Sequence, residues 1–412
     1  MTTTMPETAA LPTLPKAQFI ALMAMLMAIN AISIDIMLPG LQQIGASLGV
    51  SDENERQFVI TAYLLGMGVA QLFFGPLSDR FGRKGPLLAG LGLYALCALS
   101  IVFVPTFTGL LVLRFVQGIG AAATRVISVS IVRDVYGGHM MAEVMSLIMM
   151  VFMIVPVIAP SIGQLIMLFA EWHMIFVAIC VFAAFVATLV VTKLPETLPE
   201  DHRRPFTPTS IVDGFRIVLT NRIALFYTLA MSFIFGGLFG FINSAQQILV
   251  GVYDLGVWFP LAFAAFAGLM AVASFTNSRL VKRYGMRPLS HAALIGFTLA
   301  SLAWIVLASV MTLPFWLFVI VYCCAMFQFG LIGANFNAMA MEPLGRVAGT
   351  ASSVLGFTQT IVGSVIGALI GQAFDGTVRP LAAGFFTVAI IGLIFVLIAE
   401  RGKLFQPHAP AH

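Results

Sequence analysis

Gly75-Pro76-Leu77-Ser78-Asp79-Arg80-Phe81-Gly82-Arg83-Lys84-Gly85-Pro86-Leu87 sets four charged side chains and two glycine turns between two apolar runs. Each run is long enough to cross a bilayer. A weaker echo begins 203 positions on, at Ser278-Arg279-Leu280-Val281-Lys282-Arg283-Tyr284-Gly285-Met286-Arg287. A charged hairpin between spanning helices, repeated half a chain later, predicts a membrane protein built from two similar halves.

Composition agrees. Of 412 residues, 60% are hydrophobic and only 9% charged, against about a quarter charged in soluble proteins. Water cannot be the solvent for that much apolar surface, so lipid must be. The net charge of +4 is therefore read for its sidedness and gives no hint of nucleic acid. Cys97, Cys180, Cys323 and Cys324 all fall in apolar runs without ligand-like spacing, and read as packed thiols rather than disulfides or a metal site. Residues 1–15 carry no basic residue, so no cleavable leader is expected ahead of the first long apolar run.

A ruler of about 20 apolar residues per crossing predicts an all-α protein with spans near 17–39, 57–77, 86–104, 109–132, 144–168 and 174–192. A second set falls near 223–248, 257–278, 289–311, 314–337, 347–373 and 380–399. The Pro- and charge-rich stretch 193–222 reads as a cytoplasmic linker between an amino-terminal bundle, 1–192, and a carboxy-terminal bundle, 223–412. Placing both termini in the cytoplasm puts 17 of the 21 Lys and Arg on the inner side and only Arg56 and Arg379 outside. The positive-inside rule then fixes the orientation.

Three charges fall well inside the hydrocarbon: Asp35, Arg114 and Arg125. Such residues are expensive in lipid and usually face a cavity. Asp35 and Arg114 sit at matching depth on the outer side. Arg114, Gln117, Ala121 and Arg125 share one face of the fourth span at 100° per residue, and that face is expected to be the aqueous one. The lesser alternative for Asp35 and Arg114 is a buried ion pair that only fastens the first span to the fourth. Arg125 could snorkel inward or bond a carbonyl instead of lining the cavity. Adding 203 to these three positions gives Leu238, Leu317 and Gln328, so the second half lacks the charges of the first. Coupling chemistry is expected in the first half, with apolar and amide contacts such as Asn243 and Asn335 from the second. Met37, Tyr63, Phe241 and Phe357 could line an adaptable apolar wall. Pro156, Pro160 and Gly163 are expected to break the amide ladder of the fifth span and let it bend.

Residues 75–87 are similar to the loop 2–3 signature of the major facilitator superfamily, G-x-L-[SA]-D-R-x-G-R-[KR], at every fixed position. Leu113-Arg114-Phe115-Val116-Gln117-Gly118 resembles its helix-4 motif R-x-x-Q-G. Ala159-Pro160-Ser161-Ile162-Gly163 resembles the helix-5 antiporter motif G-P-x-x-G, with Ala159 in place of the first glycine. Within the superfamily the likeness is to the Bcr/CflA drug-resistance group. It is carried by Asp35-Ile36-Met37-Leu38-Pro39, where Met37 replaces the usual tyrosine, by Leu194-Pro195-Glu196-Thr197-Leu198, and by the 341–352 junction.

The resemblance implies twelve helices in two pseudo-symmetric six-helix bundles. It also implies proton-coupled export of small amphipathic molecules, chloramphenicol- or bicyclomycin-like, from a bacterial inner membrane. A monomer is expected, with no cofactor beyond the proton. Asp35 and Arg114 would couple the proton, and Asp35, Met37, Tyr63, Arg114, Gln117 and Arg125 would meet the cargo. Gly75, Asp79, Arg80, Gly82, Arg83, Lys84 and Asp134 would form an inner gate, with Asp79 at the start of helix 11 near Val347 and Arg83 on Asp134. An importer or uniporter of a metabolite or organic anion is the alternative on this fold. An enzyme lacks its parts: there is no H-E-x-x-H and no phosphate loop.

Overall fold

The computed structural model describes residues 14–203 and 208–405; the side chains of 138, 139, 142, 202, 208–211 and 345–350 lie outside that description. Among the described residues, 12 helices are long and apolar enough to cross a membrane. Large side chains such as Phe103, Phe169 and Val310 stay more than three-quarters exposed on their outer surface, as lipid-facing residues do.

The first span is α1 (Lys16–Asp35), a 3-10 turn over Leu38–Gly40, and the short α2 (Leu41–Ser47). The expected stop at Pro39 is only a change of helix type. Pro39 lies in the first turn of the 3-10 segment, where its missing N–H leaves no bond unmade. Then follow α3 (Phe58–Phe81), α4 (Lys84–Ile101), α5 (Phe107–Val135), α6 (Gly138–Phe169) and α7 (His173–Lys193). The second set is α9 (Arg222–Gln246), α10 (Phe259–Tyr284), α11 (Met286–Val310), α12 (Phe315–Met341), α13 (Ala348–Gln372) and α14 (Arg379–Ala399). A helix the composition did not announce, α8 (Pro208–Thr220), occupies the linker and packs against α9 and α13.

Helix α6 carries Pro156 and Pro160 inside its length and continues through both, so two missing amide donors do not end it. Gly163 serves a close approach: a β-carbon there would collide with the Ile36 carbonyl. The fifth span is thereby seated directly behind the residue that follows Asp35.

Within the first half, α3 and α5 are in backbone contact. A β-carbon at Gly66 would strike the Phe115 carbonyl, and one at Gly118 the Tyr63 carbonyl. Small residues that let helix backbones touch are the usual currency of packing in lipid, where no hydrophobic force presses helices together. This contact sets the distance between Arg114 and the groups it meets. The second half packs around rings: Tyr322 has Phe241 at 4.4 Å, Phe266 at 4.7 Å and Trp304 at 5.9 Å between centroids. Across the halves, α3 lies against α13 and α6 against α10.

Candidate functional site

The guanidinium of Arg114 is fully buried. Its Nε donates to the Val59 carbonyl at 3.2 Å, Nη1 to Gln117 Oε1 at 2.7 Å, and Nη2 to the Ser33 carbonyl at 3.0 Å. Its carbon lies 4.4 Å from the Tyr63 ring centroid, a cation–π distance. The Ser33 and Tyr94 hydroxyls bond each other beside it. One level inward, Asn30 Nδ2 donates to Thr124 Oγ1 at 3.0 Å, and Tyr63 reaches Asn30 Oδ1 at 3.5 Å.

This network corrects two expectations. Arg114 and Asp35 form no ion pair; protein carbonyls and a ring satisfy the guanidinium. Nor is the outer part of the shared face of α5 an aqueous one, because Arg114, Gln117 and Ala121 are all completely enclosed. A desolvated guanidinium takes carbonyls when the fold offers them, and here it pins α1, α3 and α5 together.

Asp35 ends α1 with 5% of its surface exposed. Among the described residues it has no hydrogen-bond or ion-pair partner. A carboxyl so placed calls for neutralisation by something other than the described side chains.

Arg125 is the opposite case. It lies mid-span with protein on every side, yet its side chain keeps exposed surface. Both facts together describe a residue facing an internal cavity. It too has no hydrogen-bond or ion-pair partner among the described residues.

The other expected wall residues are packed in this state. Met37, Tyr63, Gln117, Phe241, Asn243 and Asn335 are all buried. Asn335 ties α12 to α10 through Asn277 at 2.8 Å, a packing amide rather than a free ligand. Phe241 belongs to the Tyr322 ring cluster. Phe357 meets Phe215 of the linker helix edge-on at 5.7 Å, which assigns it to the linker contact. Asn243 differs: both its amide atoms are buried without a partner.

At the turn between α3 and α4 Arg83 organises a clamp. Nε donates to Asp134 Oδ2 at 2.7 Å, Nη1 to Asp79 Oδ1 at 2.6 Å and also to Ser78 Oγ at 2.8 Å. Burial alone would lower the affinity of this guanidinium for its proton, but Asp134 and then Asp79 outweigh it and the net shift is upward. Glu196, from the linker motif, accepts the Arg83 and Lys84 amides at 2.7 and 3.1 Å and so caps α4. Lys84 Nζ bonds the Val191 carbonyl. Gly82 has φ +87°, and a β-carbon there would meet Glu196 at 2.6 Å. Gly75 sits near Ser353 of α13, while Arg80 is exposed over the Phe81 ring. The expected partner of Asp79 at the start of helix 11 lies among side chains outside the described residues; the contact given for Asp79 is Arg83.

Sequence reasoning missed three things. Glu196 is the first. The second is a matching clamp in the other half, where Arg287 binds Glu400 at 2.9 Å and Glu342 at 3.3 Å, with Tyr227 bridging Glu400 and His291. The third is a cluster of amides. Asn54 Nδ2 donates to the Gln372 and Phe374 carbonyls at 3.1 and 2.9 Å, Gln372 Nε2 to the Asn54 carbonyl at 2.6 Å, and Gln247 Nε2 to Asn54 Oδ1 at 2.7 Å. Gln57 joins them through Gln247 and the Gly371 carbonyl. Together they tie the start of α3 to the ends of α9 and α13 across the two halves.

Comparison with known proteins agrees with this architecture. The Major Facilitator Superfamily profile matches residues 20–368. The chain is 34% identical over 380 residues to a protein described as a bicyclomycin resistance protein homolog of Haemophilus influenzae, covering 92% of this chain and 94% of that one. It is 29% identical to the multidrug resistance protein MdtL of Klebsiella pneumoniae, over 90% of this chain and 93% of the relative. The xylose transporter XylE from E. coli, in a partially occluded inward-open conformation, superposes with a TM-score of 0.73 at 12% identity, covering 94% of this chain and 97% of that one.

Proposed function

The chain belongs to the Major Facilitator Superfamily, and we propose that it exports small amphipathic, drug-like molecules in exchange for protons by alternating access. The observation that carries this reading is Asp35: the only acid deep inside the spans, buried, and without a partner in the described protein. A proton is the smallest species that can neutralise it, and the polar end of a cargo is the other. If the two take turns at one carboxyl, inward proton flow drives outward cargo flow. The membrane potential adds about 2.3 kcal/mol per charge per 100 mV. Relatives named for bicyclomycin and multidrug resistance, matched along nearly the whole chain, support a drug-like cargo.

The rest of the geometry fits that cycle. With 17 inner and 2 outer basic residues, both termini lie in the cytoplasm and the protein spans the bacterial inner membrane. The amide cluster closes the outer side. The clamp of Asp79, Arg83 and Asp134 stands at the inner side, where it stiffens the hinge between α3 and α4 as the halves tilt. The unit is a monomer and needs no cofactor beyond the proton.

Proteoliposomes carrying an imposed pH gradient test the reading. Wild type should move chloramphenicol against its gradient only while the proton gradient lasts, and Asp35→Asn should not. Export by Asp35→Asn that still collapses with the proton gradient would remove Asp35 from the mechanism.

A further inference from the structure

Of the three charges in the hydrocarbon, only Arg125 is both exposed and without a partner among the described residues. Arg114 spends its donors on Val59, Gln117 and Ser33 and is sealed from the cavity. Arg125 has protein around it, exposed surface, and no protein acceptor among the described residues. The chain offers little to neutralise it. Of the 17 acids in the sequence, only Asp35 lies deep within a span; every other one falls in a loop, in the linker or near a helix end. The sequence of the second half places no carboxylate mid-span.

We infer that Arg125 is the receptor for a negatively charged group on the cargo, so that the transported molecules are amphipathic organic anions. This rests on the export reading and narrows its substrate class. A guanidinium in a low-dielectric cavity binds a carboxylate or sulfonate through two parallel charge-assisted hydrogen bonds. The Asn30–Thr124 bond sets Arg125 level with Asn30, so Asp35, five residues further out, stands about 8 Å away along the axis. A cargo would therefore place its acid group deep and a hydrogen-bond donor nearer Asp35. One proton entering against one monoanion leaving carries two positive charges inward, so the membrane potential drives the exchange of an anion harder than that of a neutral molecule.

The test uses purified full-length protein and two matched pairs: chloramphenicol with its hemisuccinate, and naphthalene-2-carboxamide with naphthalene-2-carboxylate. In wild type the acid of each pair should bind about tenfold more tightly than its neutral partner, the worth of one charge-assisted contact. In Arg125→Gln that ratio should fall to about one, and Arg125→Lys should restore part of it. Protection of Arg125 from phenylglyoxal by the acids alone supplies a wild-type readout that does not depend on a variant folding. Equal binding within both pairs, binding of neither member, or an unchanged ratio in Arg125→Gln each overturns the inference. So does protection by millimolar chloride or phosphate equal to that by the acids, which marks a site for an inorganic anion only. Liposomes separate this from the parent reading. Charge-blind export sinks the anion assignment alone, whereas an intact acid preference without any proton-driven movement sinks the exchanger and keeps the receptor.

Discussion

The two halves share their inner ends and differ in their middles. Gly82 and Gly285 have nearly the same backbone, φ +87° and +82°. An arginine follows each, and each arginine gathers two carboxylates: Asp134 and Asp79 in the first half, Glu400 and Glu342 in the second. Halfway through the membrane the resemblance stops. Asp35, Arg114 and Arg125 have only Leu238, Leu317 and Gln328 at the repeat-related positions. The lesson is a sorting rule. Charges that recur in both halves are paired with each other, whereas of the three present once Arg114 is held by carbonyls and an amide, and Asp35 and Arg125 have no partner among the described residues.

The largest expected effect strikes the unrepeated middle. Asp35→Asn should cut proton-driven transport by more than about tenfold, the usual scale for losing an essential proton carrier, while cargo exchange at equal pH on both sides survives. Counterflow assays read both, and equal loss of the two would make Asp35 a packing residue. A cysteine at position 35, in a background lacking the native four cysteines, should react with an impermeant thiol reagent only when the outer seal is open. Reaction in every state, or in none, breaks the assignment.

The next effect probes the repeated ends. Arg83→Met and Arg287→Met each leave partly buried carboxylates without their cation. Both should destabilise the protein in detergent by about 3 kcal/mol, read from thermal unfolding. Similar losses in the two halves sharpen the comparison; a transport defect in one without instability would show that its clamp does more than brace.

Gly82→Ala and Gly285→Ala distinguish the ends from each other. Both force a side chain into a backbone region almost reserved for glycine, a cost of about 1–3 kcal/mol. At Gly82 the methyl would also meet Glu196, whereas at Gly285 its nearest neighbour is Pro288 at 3.8 Å. Gly82→Ala should therefore unfold at the lower temperature. The smallest effect belongs to Glu196→Gln, which weakens one helix cap by about 1 kcal/mol or less, read from the same unfolding curves.

Much of the fold was legible because a spanning helix announces itself by length alone, and the basic residues sort by side. The clamp at Arg83 was legible too, since Arg83 and Asp134 stand at helix ends in a recognisable motif. Its counterpart was hidden by one residue of slippage: Gly82-Arg83 became Gly285-Met286-Arg287. The face shared by Arg114 and Arg125 was read correctly as geometry and wrongly as environment over its outer part. A helical wheel says which residues point the same way, but not that α3 approaches closely enough at Gly66 and Gly118 to seal the outer part of that face. The amide cluster left no mark at all. Asn and Gln carry neither charge nor period, and their meeting depends on three distant helix ends converging.

That cluster has a consequence for where such a protein can operate. Every contact named across it is a neutral amide hydrogen bond, with no group that titrates at ordinary acidity and little for dissolved ions to screen. A door latched this way holds as firmly in sour or briny surroundings as in dilute buffer. Its strength is set by geometry, leaving any response to acid to the residues deeper in.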